Sequence, residues 1–151
     1  MSIAVALHIL AAVVWVGGMF FALLILRPAA GALDAQVRLP LWGRVFGRFF
    51  PWVWAAVILL PVSGYWMIMR GWGGMAHLPL YLHFMQGIGW LMILLYLHLW
   101  FAPYRRLKKA IASGDYSDGA RQLNQIRILV AVNLILGLLN VAIGASGRYW
   151  G

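Results

Sequence analysis

Two histidines lie inside apolar runs of this chain: His8 in Leu7-His8-Ile9-Leu10-Ala11 and His83 in Leu80-Tyr81-Leu82-His83-Phe84-Met85. An ionisable side chain in hydrocarbon is costly, so such a residue usually faces the interior of a helix bundle, where it pairs or binds. Neutral imidazole carries one N–H donor and one lone pair, and it is the commonest protein ligand for metal ions. Two imidazoles from different helices can also hold the iron of a b-type haem axially, with no covalent link. Either chemistry needs His8 and His83 at one depth, on elements that face each other.

Helical spacing extends these two residues into faces. His8, Ala11, Trp15, Gly18 and Ala22 follow at intervals of three and four; so do His83, Gln86, Gly87 and Trp90, and likewise Asn133, Gly137, Asn140 and Gly144. Residues so spaced share one side of a helix. In a haem b reading, His8 and His83 are the axial ligands and Trp15 and Trp90 flank the ring. Gly18 and Gly87 leave it room, and Gln86 and Asn140 tune it. Arg70 and Arg148 would pair with its carboxylates, because guanidinium matches carboxylate geometry. In a copper reading, His8 and His83 act with Met85, and Met67, Met69, Met75 and His77 gather near the mouth. Thioether sulfur suits Cu(I). His98 follows His83 by about 22 Å of helix, at 1.5 Å per residue, which puts it in the other leaflet as an interfacial residue and a weaker ligand candidate. A third reading has no cofactor: the small residues let helices approach, and the polar ones bond across them.

The elements that must position these residues are membrane helices. The chain has 151 residues, 64% hydrophobic and 10% charged, whereas a soluble domain is roughly half apolar and a quarter charged. Four apolar spans have the length a bilayer requires. They run from about Ile3 to Leu26, Phe50 to Met69, Leu80 to Phe101 and Ile126 to Ala145, within a single domain over 1–151. The fold class expected is all-α, a four-helix integral membrane bundle. Pro61 should bend the second span. Lys108 and Lys109 could extend the third beyond the membrane, and Ser113 to Gly119 reads as a turn. The stretch from Leu39 to Arg48 reads as a headgroup-facing loop or an interfacial amphipathic segment. Trp42, Trp52, Trp72, Trp100, Tyr104, Tyr149 and Trp150 suit an interfacial belt. His8, Ser63, His83, Gln86 and Asn140 fall at a common depth near one end.

Charge orients the bundle. Of the twelve Lys and Arg residues, Arg27, Arg38, Arg44, Arg48, Arg105, Arg106, Lys108, Lys109, Arg121 and Arg127 lie on one side, and only Arg70 and Arg148 on the other. Basic residues favour the cytoplasm, so both termini are expected on the periplasmic side of a bacterial inner membrane. The net charge of +9 then meets anionic lipid rather than nucleic acid. The first apolar stretch lacks a basic leader and runs past the length of a signal peptide, so it reads as a membrane helix. With no cysteine, disulfides, thiolate metal sites and c-type haem attachment are excluded. The only acidic residues are Asp34, Asp115 and Asp118, all between spans, which excludes paired-carboxylate catalysis inside the membrane.

The run His8, Trp15, Gly18, Phe20 resembles the first helix of two membrane families, HemJ-type protoporphyrinogen oxidases and CopD-like copper-resistance proteins. Leu82-His83 is similar to the second family histidine. Arg121-Gln122-Leu123-Asn124-Gln125 resembles the motif before the last HemJ-type helix, with Gln125 where that motif has an acid. Met85 stands where HemJ-type proteins carry a lysine, which argues against protoporphyrinogen oxidation. The HemJ-type resemblance implies a haem-binding membrane oxidoreductase, and the haem reading itself gives an electron-transfer or redox role with a quinone or another redox partner. The CopD-like one implies copper uptake or tolerance. The main expectation is haem b between His8 and His83, with copper as the alternative and a cofactor-free assembly subunit as the third. The small-residue stripe would also suit a homodimer.

Overall fold

The computed structural model describes residues 1–150. Four helices cross its length: α1 Ser2–Ala30, α2 Ala35–Gly71, α3 Leu80–Ser113 and α4 Tyr116–Tyr149. Each is long and apolar enough to span a membrane, and the described residues contain no strand. The chain is therefore an all-helical integral membrane protein in contact with the bilayer. α1 packs along α2, α3 along α4, and α1 also touches α4. Aromatic side chains close the ring between α2 and α3. Tyr96 donates its hydroxyl to the Phe50 carbonyl (3.2 Å), and Trp90 donates its indole N–H to the Tyr65 hydroxyl (3.0 Å).

The helices outrun the expected spans at the basic end. The stretch around Leu39 to Arg48 is neither a loop nor a separate segment but the first turns of α2. Its stripe of Leu39, Trp42, Phe46 and Phe50 is buried while Arg44 and Arg48 point outward. The stripe has a surface to dock on. A Cβ on Gly119 of α4 would come 3.0 Å from a Leu39 methyl, and one on Gly43 would come 3.1 Å from Ile111 of α3. Pro40, Pro51 and Pro61 all lie within α2, which stays helical through each; in a membrane, neighbouring groups can satisfy the carbonyls that proline leaves free. The third span does continue through Lys108 and Lys109 to Ser113. The turn after it is tighter than expected: Gly114 takes the left-handed conformation (φ 70°), favoured by glycine because it lacks a Cβ. Asp115 then accepts the backbone N–H of Asp118 (3.0 Å) and caps α4.

Several residues expected in an interfacial belt are core instead. Trp42 and Tyr104 are buried. Phe46 and Phe50 stack with ring centroids 4.9 Å apart, and Tyr104 meets Phe50 edge-on at 4.7 Å. Trp100 packs on Trp54 and Phe50. Edge-on and offset packing of this kind adds to what burial alone contributes. Trp52, Trp72, Tyr149 and Trp150 remain exposed, as a belt requires.

Candidate functional site

α1 turns His8, Ala11, Trp15, Met19 and Ala22 inward, at helical spacing; all but His8 are buried. His8 is half-buried at the end of the bundle that carries both termini. Its Nδ1 lies 2.8 Å from Ser63 Oγ on α2. The Ser63 hydroxyl donates to the Leu59 carbonyl at 2.5 Å, one helical turn back. A hydroxyl has a single proton. The Leu60 carbonyl lies 3.3 Å away as a second acceptor. With the hydroxyl proton on either carbonyl, Oγ accepts from His8, and in that pattern a neutral imidazole carries its hydrogen on Nδ1. Nε2 makes no hydrogen bond among the described residues and in that tautomer offers a lone pair. A bond of this kind joins membrane helices, and it is also how an outer partner fixes the tautomer and ring orientation of a histidine that ligates a metal. Gly64 makes the approach possible, since a Cβ there would lie 3.3 Å from His8 Cε1. The shared depth of His8 and Ser63 is thus realised as a direct bond.

His83 is placed differently. It is exposed, and it precedes Trp90 by seven residues, so it shares that residue's flank of α3. Met85, two positions on, points the other way: a Cβ on Gly144 of α4 would lie 2.9 Å from its methyl carbon. Met85 is a packing residue of the α3–α4 seam. Gln86 is half-buried and donates to the Leu82 carbonyl on its own helix (3.3 Å). Asn140 faces Gly89, with Nδ2 3.8 Å from where a Cβ would be. The Asn140 carbonyl oxygen is buried without a partner. Gly137 admits Val16 and Met92, and Asn133 donates to the Met92 carbonyl (3.2 Å). The stripe on α4 therefore binds helices together, as small and polar membrane residues do. Gly87 is exposed and open. His77 is exposed in a short 3-10 turn, and His98 is exposed on α3.

The haem reading finds no support in this arrangement. The space beside Gly18 is taken by the Phe49 ring. Trp15 is 3% exposed and packs edge-on against Tyr96. Arg70 lies over Trp66, 4.9 Å from the ring, and Arg148 over Tyr149 at 4.6 Å. Both arginines expected at the carboxylates are thus stacked on aromatics of their own segments. Phe49, the side chain beside Gly18, belongs to α2 just before the start of the second span expected from the sequence.

A soft-donor surface does lead to His8. Met67 follows Ser63 by four residues and precedes Gly71 by four, so all three share the face of α2 turned to α1. The Met1 methyl is 3.5 Å from the Cβ position of Gly71. Met1 was absent from the sequence-based ligand set, because only the packing of α1 on α2 brings it to this face. Among the described residues no three His, Cys, Asp or Glu side chains come together.

No curated protein and no solved structure is significantly similar to the chain. The family model for copper resistance protein D matches residues 43–146, well over half of the length. The chain therefore belongs to the copper resistance protein D family.

Proposed function

We propose that this protein handles copper as cargo at the end of the bundle that carries its termini, with His8 Nε2 as the interior ligand. One observation carries the reading: His8 Nδ1 is bonded to Ser63, whose hydroxyl has backbone carbonyls to donate to, a pattern that suits a neutral imidazole with its Nε2 lone pair free. Met1 and Met67 lie on the same α1–α2 seam and supply thioethers, which with neutral imidazole favour Cu(I) over harder ions. Met69, Met75 and His77 are exposed around the mouth and serve as first contacts. An ion captured there passes along the seam to His8. Below His8 the interior is closed by Trp15, Tyr96 and Phe50, each at most 3% exposed, so His8 is the inner limit of the path in this conformation. The ten-to-two bias of basic residues supports a cytoplasmic basic end and external termini, which directs the copper mouth outward.

The test is copper content and affinity in detergent, for the wild type and for His8→Ala. The expected result is bound copper in the wild type and at least a tenfold loss of affinity in the variant. Unchanged binding in a folded His8→Ala protein overturns the proposal. Orientation is checked separately. The chain has no cysteine, so Ser2→Cys and Ser113→Cys each create a single labelling site. An impermeant maleimide applied to whole cells should label the first and not the second.

A further inference from the structure

At the basic end, far from His8, a cavity of about 490 Å³ opens between α1, α2 and α4. Its floor is apolar, formed by Leu23, Phe49 and Val130, and its rim carries Arg27, Arg38 and Arg127. Arg38 donates to the Leu33 carbonyl (3.0 Å). The only ion pair among the described residues joins Arg121 to Asp118, so none of the three rim guanidiniums has a carboxylate partner. They come from three helices, and like charges so gathered repel unless an anion joins them.

The wall supplied by α1 is irregular. Phe21–Leu26 is π-helical, and this segment contributes Leu23 and leads directly into Arg27. π-Helical turns are rare and concentrate at functional sites. The cavity volume falls within the roughly 300–1,000 Å³ usual for ligand pockets. Leu24 and Ile25 of α1 and Ile128 of α4, close in sequence to the lining, are exposed apolar residues, which in a membrane meet lipid tails.

We infer that this cavity binds one phospholipid with an anionic headgroup, drawn from the leaflet at the basic end. The phosphate and headgroup lie among Arg27, Arg38 and Arg127, where guanidinium can pair bidentately with phosphate oxygens. The upper acyl segments cover Leu23, Phe49 and Val130. A soluble anion would satisfy the arginines but leave this floor wet, whereas a zwitterionic lipid would cover the floor but bring no net charge. The anionic lipid matches both halves. Seated there, it joins α1, α2 and α4 where the basic end would otherwise repel itself.

The experiment uses the full chain, purified in mild detergent and stripped of lipid. Phosphatidylglycerol, phosphatidylcholine and inorganic phosphate are added in separate arms, read by native mass spectrometry and by melting temperature. Phosphatidylglycerol should be retained at one per chain and should raise the melting temperature; the other two should do neither. The paired substitution Arg38→Gln with Arg127→Gln should weaken retention by roughly fivefold per arginine, about 25-fold in all, from the attraction of each basic group to an anionic headgroup. Arg105→Gln with Arg106→Gln removes the same charge from an exposed part of α3 and should leave retention intact. Equal retention of phosphatidylcholine, a full stabilising effect from phosphate alone, or an equal loss in the Arg105/Arg106 pair each overturns the inference. The wild-type arms decide it even where the Arg38/Arg127 variant does not fold.

Discussion

Ser63→Ala isolates the contact on which the copper reading depends. The substitution removes the acceptor 2.8 Å from His8 Nδ1 and leaves the imidazole itself in place. Two magnitudes separate its effects. Side-chain hydrogen bonds between membrane helices contribute about 0.6 kcal/mol on average and about 1.7 at most, so the bundle should lose little stability. Removing the outer partner of a metal-ligating histidine costs roughly 10- to 100-fold in metal affinity, or about 1.4–2.8 kcal/mol. That loss arises because the Nε2–H tautomer, which cannot ligate through Nε2, is no longer disfavoured and the ring is free to turn. The assay is a Cu(I) titration against a competing chelator, alongside 15N shifts of labelled His8 above neutral pH. In the wild type, Nδ1 should read as protonated and Nε2 as bare; in Ser63→Ala both tautomers should appear. Ser63→Thr keeps the hydroxyl and should recover most of the affinity. Unchanged Cu(I) affinity in Ser63→Ala, or a protonated Nε2 in the wild type, refutes the tautomer argument.

Two further outcomes concern the scaffold. Gly147→Ala places a Cβ against the Tyr81 ring and 2.7 Å from its Cβ; it should destabilise the α3–α4 seam by on the order of 1–3 kcal/mol, seen as a lower melting temperature, and an unchanged value would show that the end of α4 is free to swing aside. Tyr96→Phe deletes the hydroxyl that reaches the Phe50 carbonyl from a side chain 2% exposed; it should cost about 0.5–1.5 kcal/mol while leaving Cu(I) affinity unaltered, because the lost bond lies below the site.

Much of this protein could be read one residue at a time. The four spans followed from apolar length, since a bilayer demands about 30 Å of helix whatever the neighbours do. The common level of His8 and Ser63 followed from a fixed rise per residue, and the role of Gly137 and Gly144 from the need for close helix approach. Rotation was legible where polar or small residues mark a stripe, as for Ala11, Trp15 and Ala22 of α1 and Asn133 and Gly137 of α4, which are buried, but not for α2 and α3. In a soluble bundle the apolar face marks the core; in a membrane, lipid-facing and core-facing surfaces are both apolar. Trp42 and Tyr104 therefore read as belt and proved to be core, and His83 reads as an inward partner of His8 yet lies on an exposed flank.

What the chain's own composition determined is its solvent: 64% hydrophobic residues and three carboxylates commit it to the bilayer. What only the tertiary fold decided is which groups meet. Ser63 reaches across to His8, Phe49 fills the place beside Gly18, and Arg27, Arg38 and Arg127 converge on one cavity from three separate helices. Each meeting depends on how whole helices pack, and packing geometry is not encoded in the spacing of any single one.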